Sequence, residues 1–173
     1  MKRTAIITLG LAAAGLLLVS CTGYQLGGVK PASLAKVNLV SVPMFANATQ
    51  HPRAEALATT AVVNAFQQDG TYRITSREKS DAVLEGRITS ISYRPIRGTR
   101  LDTQLPEELA NTVTLDWELL DARDPTKVLA QGRSTGTSQL FVAENLQTAR
   151  QNALPEALEQ AGEALVSKLA NGY

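Results

Sequence analysis

Hydrophobic residues follow a helical period in two stretches of the chain. The first stretch begins after Arg53, where apolar side chains recur three or four residues apart and polar side chains take the other positions. This spacing predicts an amphipathic helix that buries one stripe. The pair Asp69-Gly70 predicts its end, because glycine accepts the left-handed conformation common at helix ends. The predicted buried stripe consists of Ala54, Leu57, Ala58, Ala61, Val62, Ala65 and Phe66.

A second helix is predicted over residues 144–170. Pro155 lies inside this stretch on the polar side, with Gln151 and Glu159. The carbonyl that the proline leaves unpaired can be hydrated there, which favours a kink over a break. Asn171-Gly172 is typical of a helix end. The predicted buried stripe consists of Leu146, Ala149, Ala153, Ala157, Leu158, Ala161, Leu165 and Leu169.

The remaining pattern predicts strands. The clearest alternation places Val113, Leu115, Trp117 and Leu119 on one face and polar residues on the other, which predicts Trp117 in the core. Further strands are predicted at residues 37–43, 71–75, 82–93 and 127–137, with a turn at 46–52 and a long loop at 94–106. This order predicts an α+β, two-layer sandwich with two helices packed on one face of a mainly antiparallel four- to five-stranded sheet.

The first 21 residues have the layout of a secretory signal followed by a lipidation site. Lys2 and Arg3 precede an apolar run at 5–19, which is short for a membrane span, and Leu18-Val19-Ser20-Cys21 matches the bacterial lipobox. We therefore expect a signal peptide at residues 1–20 and lipidation of Cys21, whose acyl chains hold the domain on a membrane. Residues 21–36 are predicted to form a tether, with Tyr24 and Leu26 as docking points, before one domain at 37–173.

Charge and residue inventory exclude several classes of function. Removal of Lys2 and Arg3 with the signal leaves 15 basic side chains (17 − 2) against 16 acidic ones, which argues against nucleic acid as the partner. Cys21 is the only cysteine and His51 the only histidine. Metal sites and nucleophilic catalysis therefore have few candidate residues, and His51 is read as a surface or capping residue. We expect a protein that is not an enzyme and needs no cofactor or metal.

Three arginines lie close together in the predicted loop. Arg94, Arg97 and Arg100 are interleaved with Tyr93, Pro95 and Ile96. Guanidinium groups bind phosphates and sugar acids through paired hydrogen bonds, while apolar neighbours can contact acyl chains. A solvated basic loop without a ligand is the alternative that the sequence leaves open.

Several short segments occur together in one order along the chain. They are Cys21-Thr22-Gly23-Tyr24-Gln25-Leu26, Val-Ser-Val-Pro-Met-Phe-Ala-Asn at 40–47, Pro52, Ser-Asp-Ala-Val-Leu-Glu-Gly-Arg-Ile at 80–88, and Tyr93-Arg94-Pro95. In this order they resemble the LptE-type lipopolysaccharide-assembly lipoproteins. Members of that family usually have Gly-Tyr directly after the lipidated cysteine, whereas Thr22 intervenes here.

The resemblance implies a small α/β sandwich at the outer membrane, lipid-anchored on its periplasmic side. Such a domain sits inside an LptD-type β-barrel partner, assists assembly of that barrel and plugs it while lipopolysaccharide passes to the cell surface. From the family only the role of Cys21 is transferred. Lipopolysaccharide binding by Arg94, Arg97 and Arg100 is our separate hypothesis. The residue after the cysteine is Thr22 and not aspartate, and in enteric bacteria this marks a lipoprotein for the outer membrane.

A second resemblance stays open. The segments at 40–47 and 81–86 also resemble those of CsgG-like and peptidoglycan-synthase-activator lipoproteins, which form secretion pores or stimulate a wall enzyme. A pore would need long membrane hairpins, and the prolines between residues 94 and 111 argue against them.

Overall fold

The computed structural model describes residues 30–99, 106–141 and 146–172. Six strands and two α-helices make up these ranges, together with two short 3₁₀ turns. Along the chain they are a 3₁₀ turn at Ala32–Leu34, β1 at Leu39–Ser41, β2 at Ala46–Asn47, α1 at Ala54–Asp69, β3 at Arg73–Ile74, a 3₁₀ turn at Arg77–Lys79, β4 at Ala82–Thr99, β5 at Pro106–Asp121, β6 at Val128–Phe141, and α2 at Leu146–Asn171.

The strands form one mixed sheet in the order β3-β1-β4-β5-β6, with β2 paired to β4. The antiparallel part is β4-β5-β6, whereas β1 is parallel to both β3 and β4, and β2 is parallel to β4. The α+β prediction is confirmed, but the prediction of a mainly antiparallel sheet of four to five strands is wrong. Parallel neighbours need a crossover connection, and α1 supplies it between β1 and β3.

Helix α1 packs through its alanine-rich face. Its fully buried residues include Ala54, Ala58 and Phe66, but Leu57, predicted in the buried stripe, is 38% exposed. Leu57 lies at the border of the stripe, because the helix turns the positions around Ala58 toward the sheet. The helix ends as predicted, with Gly70 in the left-handed region at a φ of 73°.

The described part of the segment predicted as a loop at 94–106 is strand. Strand β4 continues to Thr99 and β5 begins at Pro106, so the two strands form one long hairpin. Irregularities between Ile88 and Ser90 and between Pro95 and Arg97 shift the register. These shifts break the two-residue alternation from which strands are read. Pro95 and Pro106 both belong to this hairpin, so prolines do not prevent a long hairpin here. The argument against a pore that was based on these prolines is therefore wrong.

Close packing explains two glycines in the sheet. Phe45 lies over Gly86 in β4, and the turn predicted at 46–52 contains β2, which pairs with β4 beside this contact. A Cβ on Gly136 in β6 would collide with the backbone of Ala157 in α2. Glycine at this position lets helix and strand approach closely.

Helix α2 runs through Pro155 without ending there, as predicted. Residues 144 and 145 of the predicted helix lie outside the described residues. The helix ends before Gly172, whose φ is 80° and whose N–H donates to the carbonyl of Lys168 at 2.8 Å. Neither helix in the described ranges is long and apolar enough to cross a membrane.

Both helices cover one face of the sheet and leave the other open. Gly162 of α2 packs against Ala61 of α1, and both helices contribute to one large core with β4 and β5. A smaller cluster lies toward the tip of the β4–β5 hairpin and contains Leu109, Leu140 and Ala153. Pro155 lies two residues beyond Ala153, where α2 passes from the small cluster to the large core.

Residues 30–36, the last part of the predicted tether, pack on the domain. Leu34 is 1% exposed. The Lys30 ammonium donates to the carbonyl of Val37 at 2.9 Å and to Asn38 Oδ1 at 3.0 Å, and it lies 4.6 Å from the centre of the Tyr72 ring. The remaining tether, residues 21–29, lies outside the described residues. We call the part of the domain around Lys30, the start of β4 and the end of α2 the N-terminal end, and the opposite part the hairpin end.

Candidate functional site

Two of the three predicted arginines lie on β4 at the hairpin end. Arg94 is exposed and in register with Ala110, and the backbone of Arg97 is in register with Glu108. Arg100 lies outside the described residues. The prediction that Arg94 and Arg97 lie in a loop is therefore wrong, because backbone pairing with β5 places both residues in a strand.

A polar row crosses the sheet beside Arg94, beneath the first turns of α2. Tyr93, Asn111 and Ser138 occupy this row on neighbouring strands. Asn111 is 0% exposed, and its amide donates to Ser138 Oγ at 3.4 Å, while Ser138 donates to the carbonyl of Ala153 at 2.6 Å. Arg150 of α2 places its guanidinium carbon 4.8 Å from the centre of the Tyr93 ring.

Three atoms at this row are buried without a hydrogen-bond partner in the described structure. They are the Tyr93 hydroxyl, Asn111 Oδ1 and Arg150 Nε. Burial raises the pKa of Tyr93, and the opposing effect of the Arg150 charge is smaller. Tyr93 is therefore neutral at physiological pH, and the row presents a hydroxyl, an amide oxygen that can accept a hydrogen bond, and one guanidinium N–H that can donate.

His51 borders the same row. Its ring centre lies 5.8 Å from that of Tyr93, and its backbone carbonyl accepts a hydrogen bond from the Asn47 amide at 2.8 Å. The backbone N–H of His51 donates to Thr49 Oγ1 at 3.3 Å. Within the described ranges, no group of three His, Cys, Asp or Glu residues is placed to hold a metal ion.

The open face of the sheet carries charged side chains toward the N-terminal end. Asp116 and Arg133 form an ion pair, with Arg133 Nε donating to Asp116 Oδ1 at 2.6 Å. The hydrogen bonds from Arg133 lower the pKa of Asp116. These residues border a shallow concavity of about 760 Å³ that also includes Glu85, Arg87 and Glu118.

Trp117 belongs to the core, as predicted. It is 5% exposed, and its indole N–H donates to Ser134 Oγ at 3.1 Å. The polar row at Tyr93 was not identified from the sequence. One signal for it was present, because Asn111 occupies an inward position of the same alternation that places Val113 and Leu115 in the core. Cys21, the predicted lipidation site, lies outside the described residues.

Two helices on one face of a mixed sheet define a class of α+β domains with solved members. A crystal structure of a protein from Xanthomonas campestris has a TM-score of 0.51 at 20% identity, covering 77% of this chain and 84% of that one. A Caulobacter crescentus protein described as a lipoprotein gives a TM-score of 0.48 at 19% identity, with 72% and 86% covered. Lipoprotein B from Nitrosomonas europaea gives 0.45 at 15% identity, with 84% and 92% covered. At these identities the likeness concerns the fold alone.

Residues 37–169 match the model of the LptE family, whose description is lipopolysaccharide assembly. The chain therefore belongs to the LptE family, as the order of its short segments suggested. No curated protein matches the sequence significantly.

Proposed function

We propose that this protein is an outer-membrane lipoprotein of lipopolysaccharide transport. It assists assembly of a large LptD-type β-barrel and plugs that barrel while lipopolysaccharide passes to the cell surface. The domain faces the periplasm, is held by acyl chains on Cys21, and acts as an accessory protein instead of an enzyme. The observation that supports this proposal is the match to the LptE family over residues 37–169, nearly the whole domain.

The shape of the domain is compatible with this role. One sheet face is open, with Arg87, Asp116 and Arg133 in register across three strands. Such a polar face suits the polar interior of a large barrel better than a lipid surface. Arg94 and Arg97 lie at the hairpin end, away from the N-terminal end from which the proposed anchor extends.

Copurification tests the choice of partner. We expect the tagged protein, extracted from outer membranes with mild detergent, to bring along one large β-barrel in equal amount. Depletion of the protein should slow delivery of lipopolysaccharide to the cell surface. Recovery of a periplasmic peptidoglycan synthase as the sole stoichiometric partner would contradict the proposal and support the activator alternative.

Lipidation is tested at Cys21. Cys21→Ala should leave an unlipidated precursor or a mislocalised protein, whereas Thr22→Ala should be processed normally. Mass spectrometry of the fractionated protein measures both. A Cys21→Ala protein that is still acylated and held on the outer membrane would exclude the proposed anchor.

Lipopolysaccharide binding at the hairpin end is tested by charge removal. Arg94, Arg97 and Arg100 replaced together by glutamine should weaken binding several-fold and reduce its salt sensitivity, with little change in thermal midpoint. The matched control replaces Arg73, Arg77 and Arg123 by glutamine, which removes the same charge near the opposite end. Equal binding by the two triple variants at low salt would place the ligand surface elsewhere.

A further inference from the structure

Helix α2 is buried unevenly along its length. It has ten buried residues, of which only Ala153 lies in the first two turns and nine lie from Leu154 onward. The first two turns, residues 146–153, cover the small cluster that contains Leu109 and Leu140, whereas the buried apolar residues after them belong to the main core. We call residues 146–153 the flap. Burial therefore holds the flap to the sheet less firmly than it holds the rest of α2.

Direct contacts with β6 fix the part of α2 beyond the flap. The helix backbone at Ala157 lies so close to Gly136 that no side chain fits between them. Gln160 Oε1 accepts a hydrogen bond from the Thr137 N–H at 3.2 Å. This part of the helix therefore cannot leave the sheet without separating backbone that is in direct contact.

Pro155 lies at the boundary between the flap and the rest of the helix. Because proline has no N–H, the Gln151 carbonyl lacks its usual helical donor, and the proline ring crowds the same turn. Bending at this turn therefore breaks one backbone hydrogen bond fewer than bending elsewhere in α2. The most easily bent turn of the helix coincides with the change from the small cluster to the main core.

Buried polar groups beneath the flap oppose its closure. The Tyr93 hydroxyl, Asn111 Oδ1 and Arg150 Nε have no hydrogen-bond partner in the described structure, and opening would expose them to water. Closure is favoured by the small cluster, by the hydrogen bond from Ser138 to the Ala153 carbonyl, and by the contact of Arg150 with the Tyr93 ring. The two sets of interactions favour different positions of the same segment.

We infer that the flap opens by bending at the turn that ends at Pro155, while the rest of α2 stays in place. Opening uncovers the inner side of the sheet at the hairpin end, where the pair Leu109 and Leu140 adjoins the polar pair Asn111 and Ser138. The flap is then a two-state device, in which apolar packing favours the closed position and hydration of polar atoms favours the open one. This inference concerns the domain alone and does not depend on the lipopolysaccharide or barrel proposals.

Thiol labelling measures the opening. Leu140→Cys places a thiol beneath the flap, and Leu165→Cys places one beneath the fixed part of α2. The full chain in mild detergent is treated with a water-soluble thiol reagent at low urea concentrations, with the parent, whose one cysteine is Cys21, as the blank. Labelling of Leu140→Cys should depend little on urea because opening exposes little surface, whereas labelling of Leu165→Cys should rise steeply because it requires global unfolding. Equal urea dependence would overturn the inference.

A substitution at the bend tests where the flap turns. Pro155→Ala supplies the N–H that the Gln151 carbonyl lacks, so it should slow labelling of Leu140→Cys about tenfold. The control Glu156→Ala, at the neighbouring exposed position, should leave the labelling rate close to that of Leu140→Cys alone. Ala153→Cys, on the inner side of the flap, is the second reporter if thermal unfolding shows that Leu140→Cys does not fold. Labelling that Pro155→Ala does not slow would overturn the inference.

Separation of β5 from β6 is the competing explanation for exposure of the thiol. Flap opening leaves the pairing of Leu109 with Leu140 intact, so the backbone amides of β5 and β6 at this pair should stay protected from hydrogen exchange while labelling proceeds. If these amides exchange with the same free energy of opening as the labelling reaction, the strands open instead of the flap and the inference is wrong.

Discussion

The two ends of the domain differ in how completely their polar groups are paired. At the N-terminal end, Asp81 accepts backbone hydrogen bonds from Asn38 and Leu39, and Tyr72 donates to the carbonyl of Leu169 at 2.8 Å. At the hairpin end, the polar row at Tyr93 leaves buried atoms without partners and lies beside a small apolar cluster.

This difference predicts an uneven distribution of stability. Each unpaired buried polar atom costs about 1–3 kcal/mol, and a small cluster contributes less burial than the main core. Pro155 lies between the two regions of α2 and leaves the carbonyl of Gln151 without its usual helical partner. We expect amides at the hairpin end to exchange at a lower free energy of opening than those at the N-terminal end.

The largest effect is expected from Phe66, which is fully buried and meets the Tyr72 ring edge-on at 6.0 Å between centres. Phe66→Ala should lower the free energy of unfolding by about 3–5 kcal/mol, since it leaves a large cavity. Gln67→Ala, on the exposed side of α1, should change it by less than about 0.5 kcal/mol. Equal losses in denaturant unfolding would mean that α1 packs through another face.

Replacing one buried leucine by alanine at each end compares the stability of the two ends directly. Leu165→Ala, in the main core, should cost about 3–5 kcal/mol, whereas Leu140→Ala, in the small cluster, should cost about 2 kcal/mol. Chemical denaturation measures both. A larger loss for Leu140→Ala would show that the hairpin end is the more stable of the two.

Asp81 tests the pairing at the N-terminal end. Its hydrogen bonds from the Asn38 and Leu39 N–H groups lower its pKa. Asp81→Asn should therefore cost about 1–2 kcal/mol near neutral pH. A lowered pKa stabilises the fold above the unfolded value of about 4, and this contribution is lost as pH falls through the folded pKa. The difference in free energy of unfolding between the parent and Asp81→Asn should become smaller in acid. The control Glu156→Gln, at an exposed helix position, should show no such pH dependence.

The two tyrosines give the smallest and most closely matched comparison. Tyr72→Phe should lower the free energy of unfolding by about 1 kcal/mol through the lost hydrogen bond to Leu169, whereas Tyr93→Phe should leave it unchanged or raise it, because this change removes a buried hydroxyl that has no partner. A loss for Tyr93→Phe equal to that for Tyr72→Phe would contradict the unpaired state.

Burial, with a smaller contribution from Asp69, raises the pKa of Tyr72 to about 12. The stability that depends on neutral Tyr72 is complete below the unfolded value of about 10 and is lost as pH rises through the folded pKa. Thermal unfolding between these values should therefore show a smaller decline for Tyr72→Phe than for the parent.

The sequence correctly predicted those helices and strands in which the period of hydrophobic residues is uninterrupted. The alternation around Trp117 and the stripes of both helices identify most of the core, but Leu57 is exposed at a stripe border, and Leu146 and Ala149 of the second stripe are only partly buried. The end of β4 was missed because a register shift beside Pro95 reverses the alternation, and β2 because two residues are too few to show a period. The parallel pairings depend on which strands become neighbours, which local patterns do not encode.

The resemblance to a family was more informative about function than the chemistry of individual residues was. The order of short segments indicated the LptE family, and the match over residues 37–169 confirms it. The arginines could be singled out by type and spacing, but their strand geometry could not. The row at Tyr93 depends on Arg150, which α2 brings from 57 positions further along the chain (150 − 93).

The length of β4 sets the distance between the N-terminal end and the hairpin end of the domain. Its 18 residues rise about 3.3 Å each, so the strand extends over roughly 55 Å. Hydrocarbon in a typical bilayer is only about 30 Å thick. The backbone of Arg94, 12 residues beyond Ala82, therefore lies roughly 40 Å from the start of β4, which is more than the thickness of that layer. The strand acts as a spacer of fixed length, because hydrogen bonds to β5 keep it from folding back on itself.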